Sequence, residues 1–258
     1  MTADEVIARA DANYFDSFRT ITAAMVAGEA RESGGVLVAA TGLPTAWLNI
    51  AFVTRPLAAP ERQLRDAVTF FDAHRLPFVV RVRQGLDAAA ERAAEALGLP
   101  YADTVPGMVL HDIASAAVAE MPAELEIRVA HDDATVADHG AVVAESFGMP
   151  AEWVRAFATR ELVRQPGVEL YVGYSDAKAV ATSALIASRG VAGVYNVGCV
   201  ESQRRRGYGE AMTWHAVSRG RAWSCEIASL QASAMGQPVY ERMGFRLVTG
   251  YRTFTRPA

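Results

Sequence analysis

The chain has 258 residues, half of them hydrophobic and about a fifth charged, with a formal net charge of −4. This is material for two domains with separate cores, and the acidic balance excludes a polyanion binder unless a local basic patch overrides it. Two cysteines, Cys199 and Cys225, exclude a disulfide framework and a paired-thiol metal site, and fit a reducing cytoplasm.

Thr2 and Glu5 form a capping box at the start of a helix. Val6, Ala10, Tyr14, Phe18, Ile21 and Met25 then recur at helical spacing, and Gly28 ends the run. The acidic start lacks the basic-then-apolar order of a signal peptide, and no apolar run is long enough to cross a bilayer, so no membrane partner is expected. Residues 36–40 and 47–53 read as strands around Gly42-Leu43-Pro44. Leu64, Val68 and Phe71 mark a helix, 78–82 a strand, 87–97 an alanine-rich helix ended by Gly98, and 108–110 a closing strand. Residues 113–123, alanine-rich and containing Pro122, read as a linker, which gives domains 1–118 and 124–258.

The second domain begins with a strand at 126–130, then helices at 136–147 and 152–163 around Gly148-Met149-Pro150. Val168, Leu170, Val172 and Tyr174 alternate as a half-buried strand. Strands at 180–187 and 191–200 meet at Arg189-Gly190, a helix carries Tyr208, Met212 and Ala216 on one face, and 227–230 is a short strand. A helix at 238–243 ends at Gly244, and strands at 245–248 and 251–254 finish the chain. The halves look alike: Asn49 and Asn196, and Gln84 and Gln231, are both 147 residues apart, within similar surroundings. A duplicated fold is expected.

Arg204-Arg205-Arg206-Gly207-Tyr208-Gly209 sits between a strand and a helix. Glycines let backbone approach a ligand, a helix start offers free N–H groups, and arginines add charge-assisted contacts, so the segment suits a pyrophosphate. An exposed basic turn whose glycines serve geometry alone is the competing reading. The phosphate-loop pattern of P-loop NTPases is absent, and so is the first glycine of a dinucleotide fingerprint. No aromatic-interleaved basic stripe continues from the turn, so no nucleic-acid partner is expected. His131, His139 and His215 show no metal-ligand spacing, and no metal is expected.

Arg204-x-x-Gly207-x-Gly209 resembles the Q/R-x-x-G-x-G/A signature of the GCN5-related N-acetyltransferase (GNAT) family. Residues 194–200 resemble the strand before that signature, and Leu230-Gln231-Ala232-Ser233 followed by Tyr240-Glu241-Arg242-Met243-Gly244-Phe245 resembles the family's next strand and helix. The resemblance covers about 126 to the end. Together with the internal repeat, it implies an α/β fold (α+β mixed sheet) of two GNAT-like domains, each a twisted mixed sheet flanked by helices. It implies acetyl-CoA as co-substrate and direct attack, in a ternary complex, by a primary amine on a small molecule or peptide. Val197, Gly198 and Cys199 would line the pantetheine arm. Arg204, Arg205, Arg206, Gly207, Tyr208, Gly209 and Glu210 would surround the pyrophosphate, with Ser233 near the arm. Tyr240 matches the tyrosine that protonates the departing thiolate. Glu145 is the candidate base, with Glu226 as alternative; packing rather than nucleophilic chemistry accounts for Cys199. Glu201 departs from the proline of many relatives, so a local backbone change is expected there.

In the first half, Leu57-Ala58-Ala59-Pro60 stands where the arginines and glycine would be, so that domain is expected to be degenerate and without CoA. The runner-up function is a non-catalytic acyl-CoA sensor or interaction module. A homodimer is compatible with either reading.

Overall fold

The computed structural model describes residues 1–116 and 121–256. Part of the expected linker, and the boundary at 118, lie outside the described residues. α1 (Ala3–Ala23) opens with the expected capping box: Thr2 N donates to Glu5 Oε2 at 2.7 Å, and Glu5 N to Thr2 Oγ1 at 3.3 Å. Then follow β1 (Glu29–Ser33), β2 (Val36–Ala40), β3 (Ile50–Val53), α2 (Pro60–Ala73), β4 (Val79–Arg83), α3 (Ala88–Ala96) and β5 (Tyr101–Leu110). The later elements are β6 (Glu126–Ala130), α4 (Asp133–Phe147), α5 (Ala151–Phe157), α6 (Arg160–Val163), β7 (Val168–Ser175), β8 (Lys178–Ser188) and β9 (Val191–Cys199). α7 (Tyr208–Ala222), β10 (Ile227–Gln231), α8 (Gln237–Arg242) and β11 (Arg246–Thr255) complete the chain.

Several expectations differ in detail, among them the first helix, which ends at Ala23 before Met25 and Gly28. The helix expected at 152–163 is two helices, because Thr159 caps Leu162 N at 3.2 Å and restarts the turn as α6. The two expected C-terminal strands form one continuous β11. The strand expected from 47 begins at Ile50, after a 3₁₀ turn at Ala46–Leu48. Buried Asn49 fixes that turn: Oδ1 accepts from Thr41 N at 2.9 Å, and Nδ2 donates to the carbonyls of Leu43, Thr45 and Pro77.

The chain forms two compact units, each assembled from two separate stretches of the sequence. The N-terminal unit holds Phe18–Gly107 with the chain from Leu247 onward. Its strand order is β1-β2-β3-β4-β11, antiparallel except for the parallel β3–β4 pair. Every β3 residue is in register with β4, from Ile50↔Val79 to Val53↔Val82. Leu64, Phe71, Val80, Leu99 and Phe254 centre its core.

The C-terminal unit holds Met1–Ser17 and Met108–Arg246. Its strand order is β5-β10-β9-β8-β7-β6, with β9 and β10 parallel. Alternation turns Ala192, Val194, Ala228 and Leu230 onto one face, where they join Met212, Ala216 and Val217 of α7 in a single core. On the opposite face, Asn13 of α1 lies against Gly193, and Ser146 and Phe147 at the end of α4 lie against Gly198. The expected duplication is visible in the element order. Hairpin β2–β3, α2, parallel β4, α3 and a last strand correspond to hairpin β8–β9, α7, parallel β10, α8 and a last strand.

Candidate active site

The parallel pairing of β9 with β10 lasts for three residues, Val191↔Ile227 to Gly193↔Ser229. β9 continues to Cys199, so its later residues have an edge without a β10 partner. A bulge marks the departure. The β8–β9 register breaks between Thr182 and Ala184, Asn196 is left-handed at φ 50°, and Thr182 Oγ1 donates to Asn196 O at 2.9 Å. Val200 N donates to Val180 O at 3.0 Å. Amides alternate between strand edges, so those of Cys199 and Val197 face away from β8, into the opening.

Gly198 has the other orientation. An added Cβ would come within 2.8 Å of Ser146 Cβ and 3.3 Å of Phe147 Cε2. Gly198→Ala is therefore expected to destabilise the fold by about 1–3 kcal/mol, the usual cost of overpacking; an unchanged denaturant midpoint would refute the tight-packing account.

The basic turn stands at the same end of β9. Glu201–Gln203 form a short 3₁₀ turn where the sequence anticipates a local backbone change. Arg205 at φ 63° and Gly207 at φ 79° are both left-handed, and Gly207 is the α7 N-cap with no side-chain capping bond. The first-turn N–H groups of Tyr208, Gly209 and Glu210 have no carbonyl four residues earlier in the helix, so they and the alternating turn form a concave donor surface suited to an anion. The Arg205 and Arg206 side chains are exposed. Arg204 instead turns inward, donating to Cys199 O at 3.3 Å and Ser146 O at 3.5 Å, which ties the turn to β9 and α4. The Tyr208 side chain is buried and its hydroxyl reaches Glu124 Oε1 at 3.2 Å, so only its backbone is available to a ligand.

Across the opening, Ser233 is exposed and its Oγ accepts from Gly236 N at 3.1 Å. Tyr240 on α8 is half-buried and meets Phe245 edge-on, ring centroids 5.9 Å apart. Burial pushes the Tyr240 phenol up to about 12, opposed by the facing hydroxyl of Thr213, which also donates to Gly209 O at 2.8 Å. Gly236 leaves room for the ring, since an added Cβ would come within 2.9 Å of Tyr240 Cε2.

Glu145 is exposed in the last turn of α4, within electrostatic reach of Cys199 together with Arg204 and Arg206. Glu226 lies at the other end of β10 from the opening and is ion-paired with Arg9 at 3.0 Å, which lowers its pKa. It is remote from any acceptor at the split. Burial pushes the Cys199 thiol up, against the pull of Arg204, so it remains a poor nucleophile. His139 is buried, with Nδ1 3.1 Å from Tyr171 O, and burial lowers its pKa to about 4. Among the described residues no cluster of metal-ligating side chains occurs, and no helix is long and apolar enough to cross a membrane.

The sheet parts between two parallel strands, with an uncapped glycine-led helix at the parting. Residues 135–245, from the first turn of α4 to just before β11, match the family model described as the acetyltransferase (GNAT) family. The match spans less than half of the chain. The chain's fold is shared with solved structures. A GCN5-related N-acetyltransferase from Kribbella flavida is 17% identical, covering 97% of this chain and 95% of that one, with a TM-score of 0.74. A tandem GNAT protein from the clavulanic acid biosynthesis pathway is 13% identical over 100% of this chain and 98% of its own, with a TM-score of 0.63. A GCN5-related N-acetyltransferase from Sphaerobacter thermophilus is 14% identical over 88% and 82%, with a TM-score of 0.62. At these identities the likeness is one of fold, here the tandem mixed-sheet arrangement. No curated protein matches the chain.

Proposed function

We propose that the C-terminal unit is an acetyl-CoA-dependent N-acetyltransferase acting on a primary amine, without a metal, by direct attack in a ternary complex. The observation that carries this reading is the short β9–β10 pairing, which leaves the Val197 and Cys199 amides facing an opening whose mouth holds the α7 donor surface. These residues fit the co-substrate: an extended amide-bearing arm can pair with the free β9 edge, and a pyrophosphate with the N–H groups of 206–210. Bound acetyl-CoA supplies an activated thioester.

The chain's own groups supply the rest. Arg205 and Arg206 neutralise phosphate charge. The β9 amide N–H groups facing the opening donate toward oxygen, so they stabilise negative charge as it develops there. Tyr240 holds a proton for the departing thiolate. Glu145 takes the proton from the incoming ammonium through water. Glu145→Gln should lower kcat/KM about tenfold at pH 7. The deficit should shrink as pH approaches about 10, because the amine then loses its proton to solvent. A pH-independent deficit would remove Glu145 from proton transfer.

For the N-terminal unit we propose no CoA site. Its β3–β4 pair is closed along all of β3. Two donors before α2 are satisfied internally: Leu57 N donates to Asp87 Oδ2 and Ala59 N to Gln63 Oε1, both at 2.7 Å, and Pro60 has no N–H. Acetyl-CoA calorimetry tests both statements, with one site per chain expected.

A further inference from the structure

A residue from the far end of the sequence bonds to the strands beside the split. Asn13, on the part of α1 that belongs to the C-terminal unit, is fully buried. Its Nδ2 donates to Ile186 O at 2.9 Å and Ser188 Oγ at 3.1 Å, and its Oδ1 accepts from the Tyr195 hydroxyl at 2.8 Å. Gly193 makes this approach possible: an added Cβ would come within 2.1 Å of Asn13 Oδ1 and 2.6 Å of the Tyr195 ring. Gly193 is also the last β9 residue in register with β10, and Tyr195 immediately precedes the left-handed Asn196. The end of pairing at Gly193 and the anchored Tyr195 ring thus both meet Asn13, and the bulge at Asn196 is the next residue.

We infer that Asn13 is a positioning residue of the acetyl-transfer site: through the Tyr195 hydroxyl it fixes where β9 leaves β10, and so where the Val197 amide points. The inference rests on the acetyltransferase reading for its catalytic consequence. Asn13 touches no reactant. It acts on an amide whose contribution depends on aim, and small misplacements of such groups cost rate more than ground-state binding. The neighbouring clamp has the same anchorage: Arg9 donates to the carbonyls of Arg189 and Gly190, both at 3.0 Å, and Arg189 pairs with Asp16 at 3.1 Å. The first helix therefore grips the β8–β9 hairpin at its turn and, through Asn13, at the point of opening.

The test uses the full chain with Tyr195→Phe, Asn13→Ala and the double variant. Acetyl-CoA affinity is read by calorimetry, and kcat by thiol release with the best amine among spermidine, glucosamine and an alanine-led peptide. Backbone resonances of Val197 and Cys199 are read in the free protein. Tyr195→Phe should lower kcat about tenfold while acetyl-CoA Kd stays within about threefold, and should shift both amide resonances. The double variant should be no slower than Asn13→Ala alone, because both changes remove one link. Wild-type resonances and kcat in Tyr195→Phe, or rate losses that multiply, would overturn the inference. If Asn13→Ala fails to fold, Tyr195→Phe decides, since it removes a single oxygen. Absence of acetyl-CoA heat in the wild type would sink the acetyltransferase reading alone, because the resonances of the free protein still report the role of Asn13.

Discussion

The Arg206→Ala/Gly207→Pro double variant is expected to bind acetyl-CoA at least about 100-fold more weakly than the wild type, with the N-terminal unit unaffected. Two independent losses add. Arg206 is exposed and positioned at the anion surface, and one charge-assisted phosphate contact is worth about tenfold or more in affinity. Gly207 is left-handed at φ 79°, whereas proline is confined near −65°, so the turn cannot keep its shape, and the Gly207 N–H is lost as a donor. Arg206→Ala alone leaves the backbone intact and should cost about tenfold, with a shallower salt dependence of binding. Wild-type affinity in the double variant would place the cofactor elsewhere. A second site in the wild type would overturn the closed-split account of the N-terminal unit.

This turn was legible in the sequence because its chemistry is local: two glycines, three arginines and a helix start within six residues. The amphipathic elements were legible for the same reason, and α1, α2 and α7 follow directly from their apolar spacing. Other features depend on partners distant along the chain. β1, Glu-Ala-Arg-Glu-Ser, is exposed at every position and carries no apolar alternation, so only its pairing with β2 defines it. β5 begins at Tyr101 rather than near 108 because its first four residues are exposed and leave no burial pattern. The two units take their last strands from opposite halves of the sequence, β11 beside β4 and β5 beside β10. Alternation says which face a strand buries, not which strand lies beside it.

The site divides in the same way. The glycine turn is a local pattern, and Tyr240 and Ser233 follow from the family resemblance, whereas the Asn13–Tyr195 bond joins residues 182 positions apart and Asn13 looks like any polar helix residue. The motif groups Arg204 and Tyr208 with the ligand contacts, yet their side chains bind protein groups. The motif specifies a backbone path, and only the structure separates side chains that hold that path from those that face outward. Asn196, paired by sequence with Asn49, shows the limit of the repeat. Asn49 is buried and fully bonded before β3, while Asn196 forms the bulge that opens β9.

Tyr240→Phe is expected to lower kcat about 100-fold with little change in acetyl-CoA affinity, the signature of a group needed for proton transfer rather than binding. Burial holds the phenol at about 12, so its proton-bearing form is the functional one throughout the working range. The sign of the pH dependence follows. A raised phenol stays protonated as pH climbs, so kcat should not decline on account of Tyr240 between pH 7 and 10, and any rise there belongs to deprotonation of the amine. In Tyr240→Phe the shape of the profile should survive while its level drops, because the lost donor was already fully protonated at every pH sampled. The ring itself is kept by phenylalanine, so its edge-on contact with Phe245 and the space left by Gly236 persist, and the thermal midpoint should hold. An unchanged kcat would assign the thiolate's proton to solvent and reduce Tyr240 to a packing residue. A falling alkaline limb near pH 9 in the wild type, absent from the variant, would instead mean that the phenol ionises far below the range its burial imposes, and that the opening is wetter around α8 than its half-buried ring indicates.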